Sequence, residues 1–168
     1  MLQNTNTNHQ VKLIIFDLDD TLWNGTLSES NVTLKDNIYN ILNHLVDCGI
    51  VLSICSKNEY SAAKKKLIEF SLWDLFISPR ISWSAKGKNV KTLLNDLGFR
   101  PCNVLFIDDN DFNIREVSFF NKNIQYANEN IIPLLINQSN ISKKCDKARE
   151  RQQQYKILEK KLLSRESF

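Results

Sequence analysis

The sequence is poor in glycine and proline, and this scarcity excludes several kinds of site. Only four glycines and three prolines occur among 168 residues. None of the glycines has the GxGxxG or GxxxxGK[ST] spacing that cradles a dinucleotide or a nucleoside triphosphate, so neither site is expected. No apolar run approaches the roughly 20 residues that a membrane-spanning helix requires, so no membrane partner is expected.

The cysteines also indicate no particular kind of site. The four cysteines, Cys48, Cys55, Cys102 and Cys145, form no CxxC pair. Their spacing therefore favours neither a disulfide framework nor a thiolate zinc site. The first ten residues are polar and lack the apolar segment of a signal peptide. Together these features predict a cytoplasmic protein.

Charge is nearly balanced in total but not along the chain. The sequence has 22 Lys and Arg against 19 Asp and Glu, a formal net charge of +3. Residues 1–141 hold 13 basic and 15 acidic side chains, whereas residues 142–168 hold nine and four. A basic C-terminal segment favours docking to an acidic protein. Because its bases are interleaved with acids, a solvated helix face is the better interpretation than a nucleic-acid site.

Short apolar runs alternate with amphipathic segments along most of the chain. The runs predict strands near residues 11–16, 50–55, 104–107 and 124–127, with a weaker one at 75–83. Helical spacing of apolar residues predicts helices near 38–46, 58–70, 90–97 and 111–120. Alternation of strands and helices indicates an α/β three-layer sandwich with a parallel sheet.

The same patterns divide the chain into three parts. Residues 1–10 are expected to form a disordered leader and residues 11–141 a single catalytic domain. Residues 142–168 are expected to form a basic helical tail. Its only apolar spacing is Tyr155, Leu158 and Leu162, so this helix should pack only partly on the domain.

Acidic residues follow two of the predicted strands. Asp17 and Asp19 come after the first strand, and Asp108 and Asp109 come after the strand at 104–107. Because the carboxyl ends of parallel strands meet at one edge of a sheet, these carboxylates should lie together. Such a cluster needs a hard cation, and Mg²⁺ prefers oxygen ligands of this kind. Helix capping is the alternative, but it does not account for Asp17 and Asp19 together.

Four motifs in order resemble those of the haloacid dehalogenase (HAD) superfamily of phosphoryl-transfer enzymes. They are the DLDDT sequence from Asp17 to Thr21, Ser56 after the second strand, Lys86 with Lys88 as the alternative, and the pair Asp108-Asp109. The segments DLDDTLWNG, ICSKNE, ISWSAK and VLFIDDNDFNIREV narrow the resemblance to the FkbH-like branch of HAD subfamily IIIC. With Asp146, Arg149 and Gln154-Tyr155 in the tail, it covers about residues 11–160.

The resemblance implies a HAD-like Rossmannoid fold and a role for each motif residue. Asp17 would be the nucleophile that forms an aspartyl-phosphate, and Asp19 the general acid and base. Asp17, Asp108, Asp109 and the main-chain carbonyl of Asp19 would bind Mg²⁺. Ser56 and Lys86 would contact the phosphoryl group, and Asn58 and Trp23 are further candidates for substrate contact. Trp23 and Trp83 are as compatible with core packing as with lining the site.

The resemblance also implies a substrate and a partner. FkbH-like proteins act on a phosphoglycerate-derived donor and load the glyceryl unit onto an acyl carrier protein, as in polyketide and other secondary-metabolite biosynthesis. Cys55, next to Ser56, would be either an acceptor thiol or a buried core residue pointing the other way. The alternatives are a stand-alone Mg²⁺-dependent phosphatase with water as acceptor, and a phospho-dependent binding module like a receiver domain.

The spacing of the motifs predicts that no lid domain covers the site. Many HAD enzymes insert such a domain between the first and second motifs or between the second and third. The segments from Thr21 to Ser56 and from Ser56 to Lys86 are each too short to fold as a separate domain. The site is therefore expected to be capless and open.

Overall fold

The computed structural model describes residues 3–5 and 8–167, which fold around one six-stranded sheet. Its strands are β1 (Gln3–Asn4), β2 (Leu13–Phe16), β5 (Val51–Ser56), β6 (Arg80–Ile81), β7 (Val104–Ile107) and β8 (Gln125–Ala127). They lie in the order β1-β8-β7-β2-β5-β6, and every pair is parallel except the antiparallel pair of β1 and β8. A separate two-stranded hairpin consists of β3 (Trp23–Asn24) and β4 (Thr33–Leu34).

Helices cover both faces of the sheet, which confirms the predicted three-layer α/β architecture. They are α1 (Ile38–Asp47), α2 (Tyr60–Glu69), α3 (Lys86–Leu97), α4 (Asp111–Phe120) and α5 (Glu150–Glu166). Successive residues of β2 point to opposite faces, so Ile14 and Phe16 join the core under α1 and α2. Leu13 and Ile15 join the second core, under α3 and α4.

The start of the chain differs from the expected disordered leader. Gln3 and Asn4 pair with Ala127 and Tyr126 and extend the sheet by one antiparallel strand. Two residues are too few to show a periodic pattern, so the sequence could not reveal this strand. Met1, Leu2, Asn6 and Thr7 of the predicted leader lie outside the described residues.

The tail forms the predicted helix, and it is anchored on the domain. The main-chain N–H of Asp146 donates to the Asp47 carbonyl at 2.6 Å, and the Arg149 side chain pairs with the Asp47 carboxylate at 2.9 Å. Tyr155 stacks on Phe99 with ring centroids 5.0 Å apart. No described residue of α5 is fully buried, so the helix packs only partly, as its sparse apolar spacing predicts.

The segments on either side of Ser56 carry no lid. Residues 22–85, all of which are described, contain β3, β4, α1, β5, α2, a 3₁₀ helix at Trp73–Leu75 and β6, and no separate domain. The carboxyl edge of the sheet is therefore left open. Within the described part of the chain, no helix has both the length and the apolar character needed to cross a membrane.

Close packing of α3 on α4 fixes where α3 begins. Gly87, in the first turn of α3, lies directly against α4, where a Cβ atom would overlap the Phe120 ring and lie 3.0 Å from the Glu116 carbonyl oxygen. The main-chain N–H of Gly87 also donates to the Glu116 carboxylate at 3.1 Å. Only a residue without a side chain permits this approach, which holds the neighbouring Lys86 in place.

Gly87→Ala should therefore destabilise the fold even though alanine favours helix. Because the new methyl group overpacks the α3–α4 contact, we expect the free energy of unfolding to fall by about 1–3 kcal/mol. Asn95→Ala, at an exposed position of the same helix, is the matched control. Urea unfolding monitored by circular dichroism measures both; equal midpoints for the two variants would contradict the packing argument.

Candidate active site

The sheet order brings the two acidic motifs side by side. β2 and β7 are parallel neighbours with Phe16 opposite Ile107, so the next residues along the chain, Asp17 and Asp108, leave the sheet at adjacent positions. Both carboxylates are buried, with 8% and 0% of the side chain exposed. Two adjacent buried anions are unfavourable unless a cation lies between them.

Lys86 supplies that cation. Its ammonium nitrogen lies 2.8 Å from Asp17 Oδ1 and 2.7 Å from Asp108 Oδ2, and its side chain is only 3% exposed. The alternative candidate, Lys88, is exposed on α3. The structure thus places Lys86 rather than Lys88 in the carboxylate cluster.

A third carboxylate completes a possible metal site. Oxygen atoms of Asp17, Asp108 and Asp109 all lie within 4.8 Å of one another. The Thr21 hydroxyl is 3.2 Å from both Asp17 Oδ2 and Asp109 Oδ1, which ties the two acids together. Three carboxylates against the single charge of Lys86 leave an excess of negative charge, and this donor set fits a divalent cation that prefers oxygen.

Asp19 is held outside this cluster by three N–H donors. Its Oδ1 accepts from the Trp23 indole at 2.9 Å and from the main-chain N–H of Leu27 at 3.0 Å, and its Oδ2 accepts from Asn58 at 3.1 Å. Its carboxylate is not among the three that could share a metal ion. Asp19 does line the cavity that opens above Asp17.

Two of the residues expected to contact substrate support the site from behind. Trp23 is fully buried in the core, and its indole N–H orients Asp19. This burial favours the core-packing alternative for Trp23 over direct contact with a substrate. Asn58, 2% exposed, donates to both Asp19 and Ser56. Trp83, the other tryptophan considered, is 65% exposed.

Ser56 lies at the carboxyl end of β5, as its motif position predicts. It is 2% exposed, and its hydroxyl oxygen accepts from Asn58 at 3.1 Å. This contact leaves the hydroxyl hydrogen available to a ligand at the edge of the sheet. The sequence analysis missed Lys57 and Asn113, which line the cavity of about 190 Å³ above Asp17. Lys57 directly follows Ser56 in the sequence, and this adjacency was the one available signal.

Cys55 points away from the site. Its side chain is 0% exposed and belongs to the core on the opposite face from Ile54, with the thiol 3.9 Å from the Lys86 carbonyl oxygen. Burial raises the pKa of the thiol to about 12. A buried, protonated thiol is a poor nucleophile, so the structure argues against the prediction that Cys55 is catalytic and favours the core alternative.

Burial also shifts the carboxylates of the cluster. Desolvation raises the pKa of Asp17 to about 6, although the charge and hydrogen bond of Lys86 oppose the shift. Desolvation and the charge of Asp17 raise the pKa of Asp108 to about 6, again against Lys86. Burial of Lys86 would lower its pKa, but the charges of Asp17 and Asp108 outweigh it and raise the pKa well above its usual value. Lys86 therefore stays protonated while the two acids titrate.

The fold is similar to that of several solved structures, among them HAD-superfamily hydrolases. The N-terminal part of the Bacteroides fragilis protein BF1531, which contains a phosphatase domain and is complexed with Mg, superimposes with a TM-score of 0.68 at 21% identity. That match covers 80% of this chain but only 41% of the other. A HAD-superfamily hydrolase from Ehrlichia chaffeensis matches with a TM-score of 0.57 at 16% identity, over 77% of this chain and 99% of its own.

A third structure and one sequence family complete the comparison. A HAD-superfamily hydrolase of subfamily IA from Geobacter sulfurreducens matches with a TM-score of 0.56 at 14% identity, over 69% of this chain and 88% of its own. No curated protein matches the chain significantly in sequence. Residues 82–168, just over half of the chain, match the family described as protein of unknown function (DUF2608). The chain belongs to the DUF2608 family.

Lys86→Met should destabilise the protein in a pH-dependent way. In metal-free buffer at pH 8, the substitution leaves two buried carboxylates without their cation. We therefore expect the free energy of unfolding to fall by about 3–5 kcal/mol. The carboxyl pKa values in the folded state, about 6 in the wild type, should rise further without Lys86. The deficit should therefore shrink as the pH falls from 8 to 5 and the acids gain protons.

Lys88→Met is the matched control for that experiment, because Lys88 lies on the same helix but is exposed. Urea unfolding of both variants across the pH range gives the comparison directly. A Lys86→Met protein as stable as Lys88→Met at pH 8 would show that the buried ion pairs do not stabilise the site.

Proposed function

We propose that this chain is a Mg²⁺-dependent phosphatase that hydrolyses phosphomonoesters through an aspartyl-phosphate on Asp17. The observation that carries the proposal is the cluster of Asp17, Asp108 and Asp109 around Lys86, with oxygen atoms within 4.8 Å of one another at the open edge of the sheet. An excess of buried carboxylate with one lysine suits the joint binding of a divalent cation and a phosphoryl group.

Asp17, Asp108 and Asp109 would hold Mg²⁺, together with the main-chain carbonyl of Asp19. When bound, the metal would neutralise charge on the phosphoryl oxygens and so allow an anionic nucleophile to approach an anionic substrate. Lys86 would also neutralise negative charge at this position, because its ammonium group already contacts the nucleophile Asp17. Ser56 would donate its hydroxyl hydrogen to a phosphoryl oxygen.

The two aspartates of the first motif divide the chemistry between them. In the first step an Asp17 carboxylate oxygen bonds to phosphorus as the bond to the leaving oxygen breaks, and Asp19 gives that oxygen its proton. In the second step Asp19 takes a proton from water, the water oxygen bonds to phosphorus, and Asp17 leaves with inorganic phosphate as product. The contacts of Asp19 with Trp23, Leu27 and Asn58 fix its direction for both transfers.

The structural relatives support the proposal at the level of the fold. The similar part of the Bacteroides fragilis protein contains a phosphatase domain complexed with Mg, and the other two structures are described as HAD-superfamily hydrolases. Since identities of 14–21% establish similarity of fold alone, the assignment of the reaction rests on the carboxylates and Lys86 of this chain.

Asp17→Asn should abolish Mg²⁺-dependent hydrolysis of p-nitrophenyl phosphate, because an amide cannot form the acyl phosphate. We expect kcat to fall by at least about 10³-fold, the scale on which loss of a nucleophile acts. Wild-type activity should disappear with EDTA and return with Mg²⁺. Asp36→Asn, at an exposed position outside the site, is the control, and activity of Asp17→Asn equal to that control would refute the proposed nucleophile.

Transfer of a glyceryl unit to an acyl carrier protein is the narrower candidate, and the tail is the observation that favours it. Residues 142–168 carry nine bases and four acids, and Lys160, Lys161 and Arg165 are exposed on α5. Such a surface complements an acidic carrier protein. This candidate lacks an accessible acceptor thiol, however, because Cys55 is buried and burial raises the pKa of its thiol to about 12.

A mass measurement separates the two candidates. Incubation of the protein with Mg²⁺, 1,3-bisphosphoglycerate and a holo acyl carrier protein should release phosphate without a glyceryl mass increase on the carrier, because Cys55 cannot be acylated in this fold. A mass increase that Cys55→Ala abolishes would instead establish the transferase. Retention of the increase in Cys55→Ala would point to direct transfer onto the carrier.

A further inference from the structure

The cavity above Asp17 restricts the chemistry of the group attached to the phosphate. It encloses about 190 Å³, and every residue that lines it is polar. Its outer wall includes Asp20 and Thr26, from the segment that leads into the hairpin, and Asn113 from α4. An apolar leaving group would find no matching surface there, so the walls favour a small, hydrophilic phosphomonoester.

Lys57 is a charged residue of this cavity whose ammonium group has no partner among the described residues. It lines the cavity and is half-buried. Throughout the described ranges 3–5 and 8–167, no residue forms a hydrogen bond or an ion pair with its ammonium group. The other lysine of the cavity, Lys86, is already bound by two carboxylates. A half-buried ammonium without a counter-charge is stabilised when an anion arrives.

The acids near Lys57 do not satisfy it. The Asp20 carboxylate accepts from the main-chain N–H of Gly25 at 2.8 Å and is thereby turned toward its own loop. Asp19 accepts three hydrogen bonds from other donors. The inner charges cancel when a divalent cation is bound, since three carboxylates face Lys86 and the metal. Of the two lysines that line the cavity, Lys57 is then the one whose positive charge is available to an anionic group of the substrate.

We propose that Lys57 binds a second negatively charged group, carried on the leaving portion of the substrate. The site would thus prefer small hydrophilic phosphomonoesters that also bear a carboxylate. This inference rests on the proposed phosphatase function. Under the proposed function, Ser56, Lys86 and the metal would serve the phosphoryl group. Lys57 is less buried than Ser56 and Lys86 and lines the cavity together with Asp20 and Thr26.

Two substrates that differ by one carboxylate test the proposal. O-phosphoserine and O-phosphoethanolamine share the phosphate and the amine, and only the first has the carboxylate. We expect Lys57→Gln to lower the ratio of kcat/KM for phosphoserine to that for phosphoethanolamine by about ten-fold, the scale of one hydrogen bond to a charged group, mainly through KM. Lys65→Gln, an exposed lysine of α2 outside the cavity, should leave the ratio unchanged.

The outcomes separate this inference from the function on which it rests. An unchanged ratio in Lys57→Gln, whether both substrates slow equally or neither does, would overturn the proposed role of Lys57. If the wild-type protein with Mg²⁺ hydrolyses neither compound, the proposed function fails for these substrates. Calorimetric Kd values of the two compounds for wild type and Lys57→Gln then decide the role of Lys57, since the same ten-fold change in ratio is expected for binding.

Discussion

The site depends on one buried cation, the ammonium group of Lys86 between Asp17 and Asp108. Burying either carboxylate alone would cost several kcal/mol, so the cluster exists only if α3 begins where it does. Gly87 allows that start, because the absence of a side chain lets α3 approach the Glu116 carbonyl of α4. The geometry of the charged centre is thus set by a glycine that takes no part in the chemistry.

The acids of the site could be predicted because each follows an apolar strand, and parallel strands end at one edge. The choice between Lys86 and Lys88 could not. Both lie in the first turn of α3, and two residues along a helix rotate a side chain by about 200°. Only the packing of α3 determines that Lys86 turns inward. The contact of Asp19 with Asn58 shows the same limit, since the two residues lie 39 positions apart in the sequence.

The alternation of side chains along β5 determines which of Cys55 and Ser56 faces the site, which residue type alone does not. Cys55 and Ser56 are adjacent in β5, so their side chains must leave opposite faces of the sheet. Ser56 joins the site and Cys55 joins the core beneath α3. The strands β1, β3 and β4 could not be predicted in this way. Each has two residues, which is too short for a periodic pattern to appear in the sequence. Their positions follow from the neighbours with which they pair.

The tail is anchored on the domain despite its weak apolar pattern because it satisfies backbone groups at an open edge of the sheet. The segment before the edge strand β6 exposes polar groups that a longer strand would have paired. Along α5, Gln152 donates to the carbonyl oxygen of Asp74, Lys156 donates to that of Phe76, and Glu159 accepts from the main-chain N–H of Ser78. Side chains on one face of this charged helix therefore form the hydrogen bonds that a further strand would otherwise have supplied. Bases on the other faces of α5, such as Lys160, Lys161 and Arg165, stay exposed, so the same helix contacts the domain on one face and presents positive charge to solvent on another.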